Sequence, residues 1–73
     1  MIRNILIEKR GDRTQSEIAN SLGITQKYLS KIELGLRNPS IKLLASFCNI
    51  YNEKAEILFP DIFLNKNTPN KNL

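Results

Sequence analysis

The feature that most constrains this chain is the turn Leu22-Gly23-Ile24-Thr25, set between two short stretches of helical periodicity. Ahead of it, Thr14-Gln15-Ser16-Glu17 has the form of a capping box. The Thr14 hydroxyl can accept from the amide of Glu17, and the Glu17 carboxylate can return to the amide of Thr14. Ile18, Ala19 and Leu22 then recur on one face, which predicts a helix over about Gln15–Leu22. Gly23 ends it by supplying a left-handed cap. Thr25 is the N-cap candidate for a second helix over about Gln26–Leu34. On a helical wheel Leu29 and Ile32 face inward with Thr25, while Lys27, Ser30, Lys31 and Leu34 point the other way. Helices joined by so short a turn meet at a steep angle, and the second can project from the body.

The remaining segments read as further short helices. Ile2, Ile5 and Leu6 have the i, i+3, i+4 spacing of a buried stripe, placing a first helix at about Ile2–Lys9 that Gly11-Asp12 stops. Asn38-Pro39-Ser40 is a helix entry, since Pro39 forces Asn38 into an extended conformation and Ser40 is a good N-cap. The helix that follows, about Ile41–Tyr51, is apolar almost all round, and such a helix is expected at the centre of a fold. Asn52 can cap it in the left-handed conformation. A short fifth helix is expected over about Lys54–Phe59, closed by Pro60. Strand signals are absent: there is no alternating apolar run and no hairpin dipeptide. From Asn65 the sequence turns polar, so residues 65–73 read as a flexible, disordered tail on a domain of residues 1–64.

Composition excludes several classes. With 73 residues there is one domain of marginal stability, on the order of 5 kcal/mol. The single Cys48 cannot form an internal disulfide, and without histidine no metal site assembles. Cys48 lies in an apolar run and reads as a small buried hydrophobe. Neither cofactor nor metal is expected, and neither is an enzyme: there is no Gly-rich phosphate loop, no paired-acid constellation and no activated nucleophile. No apolar run is long enough to span a membrane, and Met1-Ile2-Arg3-Asn4 does not open a signal sequence. The expectation is therefore a cytoplasmic, nucleoid-associated protein. The net charge of +4 suits a polyanion. Its excess lies in residues 1–42, where Arg3, Lys9, Arg10, Arg13, Lys27, Lys31, Arg37 and Lys42 face only Glu8, Asp12, Glu17 and Glu33.

The Thr-Gln entry, the Ile18-Ala19 pair, the Leu22-Gly23 turn, the Ile32-Glu33-Leu34-Gly35 exit and the Asn38-Pro39-Ser40 connection fall in one order and spacing. In these signatures the chain resembles the Cro/C1-type (xenobiotic-response-element-type) helix-turn-helix regulators of bacteria and phages, over roughly residues 2–59. The resemblance implies an all-α, compact five-helix, lambda-repressor-like domain that binds double-stranded DNA, commonly as a homodimer. It places Gln26, Lys27 and Lys31 among the base readers, with Tyr28 and Ser30 flanking them. Gln15, Thr25, Arg37, Asn38, Ser40 and Lys42 would meet the sugar-phosphate chain. The chemistry agrees: an amide can pair bidentately with adenine, and a lysine can donate to guanine O6 and N7. Glu33 matches a family glutamate paired with a helix-1 arginine; Arg3, Arg10 and Arg13 are all candidates here, because Arg10-Gly11-Asp12-Arg13 aligns poorly with the family pattern. Leu34 and Leu36 stand where the family is often polar.

The leading expectation is a sequence-specific regulator, a repressor, that reads a palindromic operator through helix 3. Ile57, Phe59, Ile62, Phe63 and Leu64 would form the dimer surface. The alternative of another class is an antitoxin-like or adaptor module with a protein partner, motivated by the apolar run Ile62-Phe63-Leu64. RNA binding is a weaker third reading, because the aromatic platform of common RNA modules is missing.

Overall fold

The computed structural model describes residues 1–63. Leu64 and the tail expected over residues 65–73 lie outside the described residues. Within them the chain forms only helices: α1 (Asn4–Arg10), α2 (Gln15–Leu22), α3 (Gln26–Glu33), α4 (Ile41–Tyr51), α5 (Ala55–Leu58) and α6 (Pro60–Phe63).

Local chemistry fixes most of the boundaries. The capping box forms at α2: Thr14 Oγ1 accepts from the Glu17 amide at 3.1 Å, and Glu17 Oε1 accepts from the Thr14 amide at 2.7 Å. Thr25 and Ser40 cap α3 and α4 in the same way, each hydroxyl accepting the amide three residues on. The α2 exit closes when the Gly23 amide donates to Asn20 O and the Ile24 amide to Ala19 O. The α3 exit repeats this pattern, with Gly35 donating to Ile32 O and Leu36 to Lys31 O. Asn52 ends α4 in the left-handed conformation.

One core joins α1 through α5: Leu6, Ile18, Ala19, Leu22, Leu29, Ile32, Leu43, Phe47, Tyr51, Leu58 and Phe59. At its centre Phe47 and Phe59 meet edge to face, with ring centroids 5.3 Å apart, the geometry that aromatic quadrupoles favour. The α2–α3 pair rests on α1 and α4, so the inner stripe of α3 (Leu29 and Ile32) is fixed by the body.

Five expectations need correction. The first helix begins at Asn4, because the Arg3 amide donates to Glu33 O at 2.7 Å and holds residues 1–3 outside the helix. Ile2, expected in the buried stripe, is therefore exposed, and Arg3 is 2% exposed. Thr25 is an exposed cap and not an inward residue. The fourth helix is not apolar all round in its burial: Leu43, Phe47 and Tyr51 form one buried stripe, whereas Ile41 is 88% exposed. Finally, Pro60 ends α5 but also opens α6, giving six helices in the described residues in place of five. Proline suits the first helical position, where its missing N–H would have had no helical partner.

Candidate nucleic-acid interface

The outward face of α3 follows from the caps at its ends and the apolar stripe behind it. Gln26 and Lys27 stand exposed on its first turn, and Ser30 and Lys31 are half-exposed one turn later. Lys27 and Lys31 form a ridge between two shallow depressions. One is lined by Thr25, Tyr28 and Arg37 with the two lysines; the other by Gln15, Gln26, Ser30, Leu34 and Leu36 with the same lysines. A third depression, across Tyr28, is lined in part by Gly23, Ile24, Ser40 and Lys42. Among the described residues, no acidic side chain lines any of the three. The residues the sequence proposed as base or backbone contacts thus fall on one continuous basic surface, with Asn38 exposed at its margin.

Behind this surface lies a buried charge. Glu33 is 1% exposed and would be costly alone, but its carboxylate is well supplied with donors. Arg10 Nε reaches Oε2 at 3.0 Å and Arg10 Nη2 reaches Oε1 at 3.2 Å, a bidentate pair. Gln15 Nε2 donates to Oε1 at 2.8 Å. The hydrogen bond to Glu33 holds the Arg10 guanidinium above its ordinary pKa. With its N–H end committed inward, Gln15 turns its Oε1 toward Gln26, whose Nε2 lies 3.5 Å away. The Ser16 hydroxyl donates to Gln26 Oε1 at 2.9 Å. Polar contacts therefore run from the buried Glu33 through Gln15 to the amide tip on the first turn of α3, the last of them long and exposed.

The three arginine candidates for Glu33 separate cleanly. Arg10 takes the carboxylate. Arg13 instead donates to the carbonyls of Lys9 and Arg10, and its guanidinium sits 5.9 Å from the Tyr51 ring centroid. Burial pushes the Tyr51 hydroxyl up from its ordinary pKa, and that hydroxyl has no hydrogen-bond partner within the described residues. Arg3 turns to Asp61 on α6, with its guanidinium 5.1 Å from the Phe59 ring centroid. Arg3, a candidate partner of Glu33 by sequence, thus pairs with Asp61, which no sequence signal marks. No local pattern joins two residues 58 positions apart.

The proposed dimer surface divides. Ile57 and Phe63 are 44% and 48% exposed, and Ile62 is half-buried. Phe59 must be removed from that set: it is fully buried against Phe47 and beneath Arg3.

Two helices across a tight glycine turn, the second carrying its polar face outward and its apolar stripe into a helical body, define a helix-turn-helix domain. The chain belongs to the helix-turn-helix family, of the Cro/C1 type, whose model matches residues 2–58. It is similar, with 35% identity over 46 residues, to an uncharacterised HTH-type transcriptional regulator of Archaeoglobus fulgidus. The matched stretch is 63% of this chain and 65% of that relative. No solved structure matches the chain. Among the described residues, no helix is long and apolar enough to cross a membrane.

Proposed function

We propose that the chain is a sequence-specific, double-stranded-DNA-binding transcriptional regulator, a repressor, that reads a palindromic operator through α3 as a homodimer. The observation that supports this reading is the basic face centred on α3, which no acidic side chain among the described residues lines, with the Gln26 Oε1 accepting from Ser16. Gln26, Lys27 and Lys31 would read base edges, with Tyr28 and Ser30 beside them. Gln15, Thr25, Arg37, Asn38, Ser40 and Lys42 would meet phosphates and sugars, fixing register and not sequence. The Thr25 and Ser40 hydroxyls, each already accepting a backbone amide, keep their O–H to donate. A homodimer through exposed Ile57 and Phe63, with Ile62, would set half-sites about 10 bp apart or a multiple of that. Such an activity places the chain on the nucleoid, in the cytoplasm.

The test compares two variants on a panel of duplexes. Lys27→Ala should cost about 1–3 kcal/mol on the preferred site and relax base preference there. Arg37→Ala should weaken all duplexes alike and lower the salt slope by about one ion. A Lys27→Ala protein with unchanged base preference contradicts the reading of α3. The exposed Ile57 and Phe63 serve equally the alternative of an antitoxin-like or adaptor module. That alternative gains if the wild-type chain has no duplex affinity at low salt and copurifies with another protein.

A further inference from the structure

We propose that Arg3 is a positioning residue for the loop that follows α3, and that Asp61 on α6 is the group that aims it. This inference rests on the DNA-binding reading above and deepens it.

An arginine carries five N–H donors in a rigid fork. In Arg3 all five are engaged. Nε is shared between Asp61 Oδ1 at 3.1 Å and Oδ2 at 3.2 Å. Nη1 donates to Ile32 O and to Arg37 O, both at 2.8 Å. Nη2 donates to Asn38 Oδ1 at 2.6 Å and to Asp61 Oδ2 at 2.8 Å. The guanidinium is buried, while Asp61 is only partly so. One contact, to Ile32 O, satisfies a carbonyl at the end of α3 and needs no functional explanation.

The contacts to Arg37 and Asn38 differ in kind. These residues lie in the loop and are exposed. Arg3 pins the Arg37 backbone, and the Arg37 side chain lines the depression shared with Lys27 and Lys31. Arg3 also takes the acceptor end of the Asn38 amide, which turns the two N–H donors of that amide away from the guanidinium; among the described residues they have no acceptor, and a phosphate oxygen would suit them. A lysine at position 3 could supply the charge but not the fork. Asp61 fixes the rotation of the guanidinium by a two-oxygen grip. Without that grip Nε loses its acceptors and Nη2 one of its two, so the Ile32, Arg37 and Asn38 contacts alone hold the fork and the Asn38 amide is oriented less tightly.

A purely structural staple and a positioning device predict different signs. Asp61→Asn removes one negative charge and raises the net charge of +4 by one. Long-range electrostatics alone would then tighten duplex binding. Positioning predicts weaker binding.

The experiment is a double-mutant cycle on the full chain, read as duplex affinity at a temperature where circular dichroism shows every variant folded. Asn38→Ala should lose about tenfold, the scale of one hydrogen bond to a charged group. Asp61→Asn should lose severalfold, and the double variant should bind no worse than Asn38→Ala alone. Arg3→Lys should behave like Asp61→Asn; if it does not fold, Asp61→Asn carries the test. In the free protein, Asp61→Asn should also shift the Asn38 side-chain amide resonances. Unchanged or tighter binding by Asp61→Asn, or penalties that simply add, would overturn the proposal while leaving DNA binding intact. A wild-type chain with no duplex affinity would remove both readings.

Discussion

Among the described residues Arg3 and Glu33 are the two buried charged side chains, and each is tolerated for the same reason. A buried charge is costly when its hydrogen-bonding capacity is unmet and acceptable when it is filled. Glu33 receives Arg10 and Gln15, and Arg3 fills its whole fork. The Arg3 hydrogen bonds hold the Asp61 carboxyl below its ordinary pKa. A carboxylate whose folded pKa is depressed contributes stability that is present above its unfolded value, about 3.9, and lost as pH falls through the folded value. Asp61→Asn should therefore be less stable than wild type at pH 7, and the gap should shrink as pH drops below about 4. Thermal melts of both proteins at pH 7 and at acid pH check this; a gap that persists undiminished in acid would contradict the ion pair. Neither partner choice was legible in the sequence. Three arginines lay within reach of Glu33 on paper, and only the packed positions of α1 and α6 assign them.

Elements were more legible, because their ends are set by residues close in sequence. The Thr14–Glu17 box, the Thr25 and Ser40 caps and the Gly23 and Gly35 exits all act within a few residues. The start of α1 and the existence of α6 were not, since one depends on a bond from Arg3 to Glu33 and the other on a proline that both stops and starts a helix. The two turn glycines separate local from tertiary demand. Both have positive φ, 73° at Gly23 and 77° at Gly35. Among the described residues, a Cβ at Gly23 would meet nothing within 4 Å, whereas one at Gly35 would collide with the Met1 carbonyl oxygen. Gly23→Ala should cost about 1 kcal/mol, the left-handed penalty alone. Gly35→Ala should cost more than about 3 kcal/mol, because the N-terminal segment must also move off α3. Chemical denaturation of the two variants measures the difference; equal losses would show that residues 1–3 do not rest on the α3 exit.

At the scale of the whole molecule, helix ends and buried stripes leave one side of α3 free, and Lys27, Lys31 and Arg37 line the depressions there. Much of the candidate interface could be read from residue order alone, since the turn fixes α3 and the wheel fixes its outer face. The brace behind it could only be partly read: Gln15 and Gln26 were singled out, but the Arg10–Glu33 pair that orients them is tertiary. The surface proposed for dimerisation was the least legible, because Phe59 looked as apolar as Ile57 or Phe63 and proved to belong to the core. The most direct measurement is an unbiased selection of duplexes by the purified chain, with the mass of the bound species determined in solution. The account predicts an enriched inverted repeat bound by two chains, its half-sites about 10 bp apart or a multiple of that. A selection that enriches no sequence, with no retention of duplex at low salt, would contradict it.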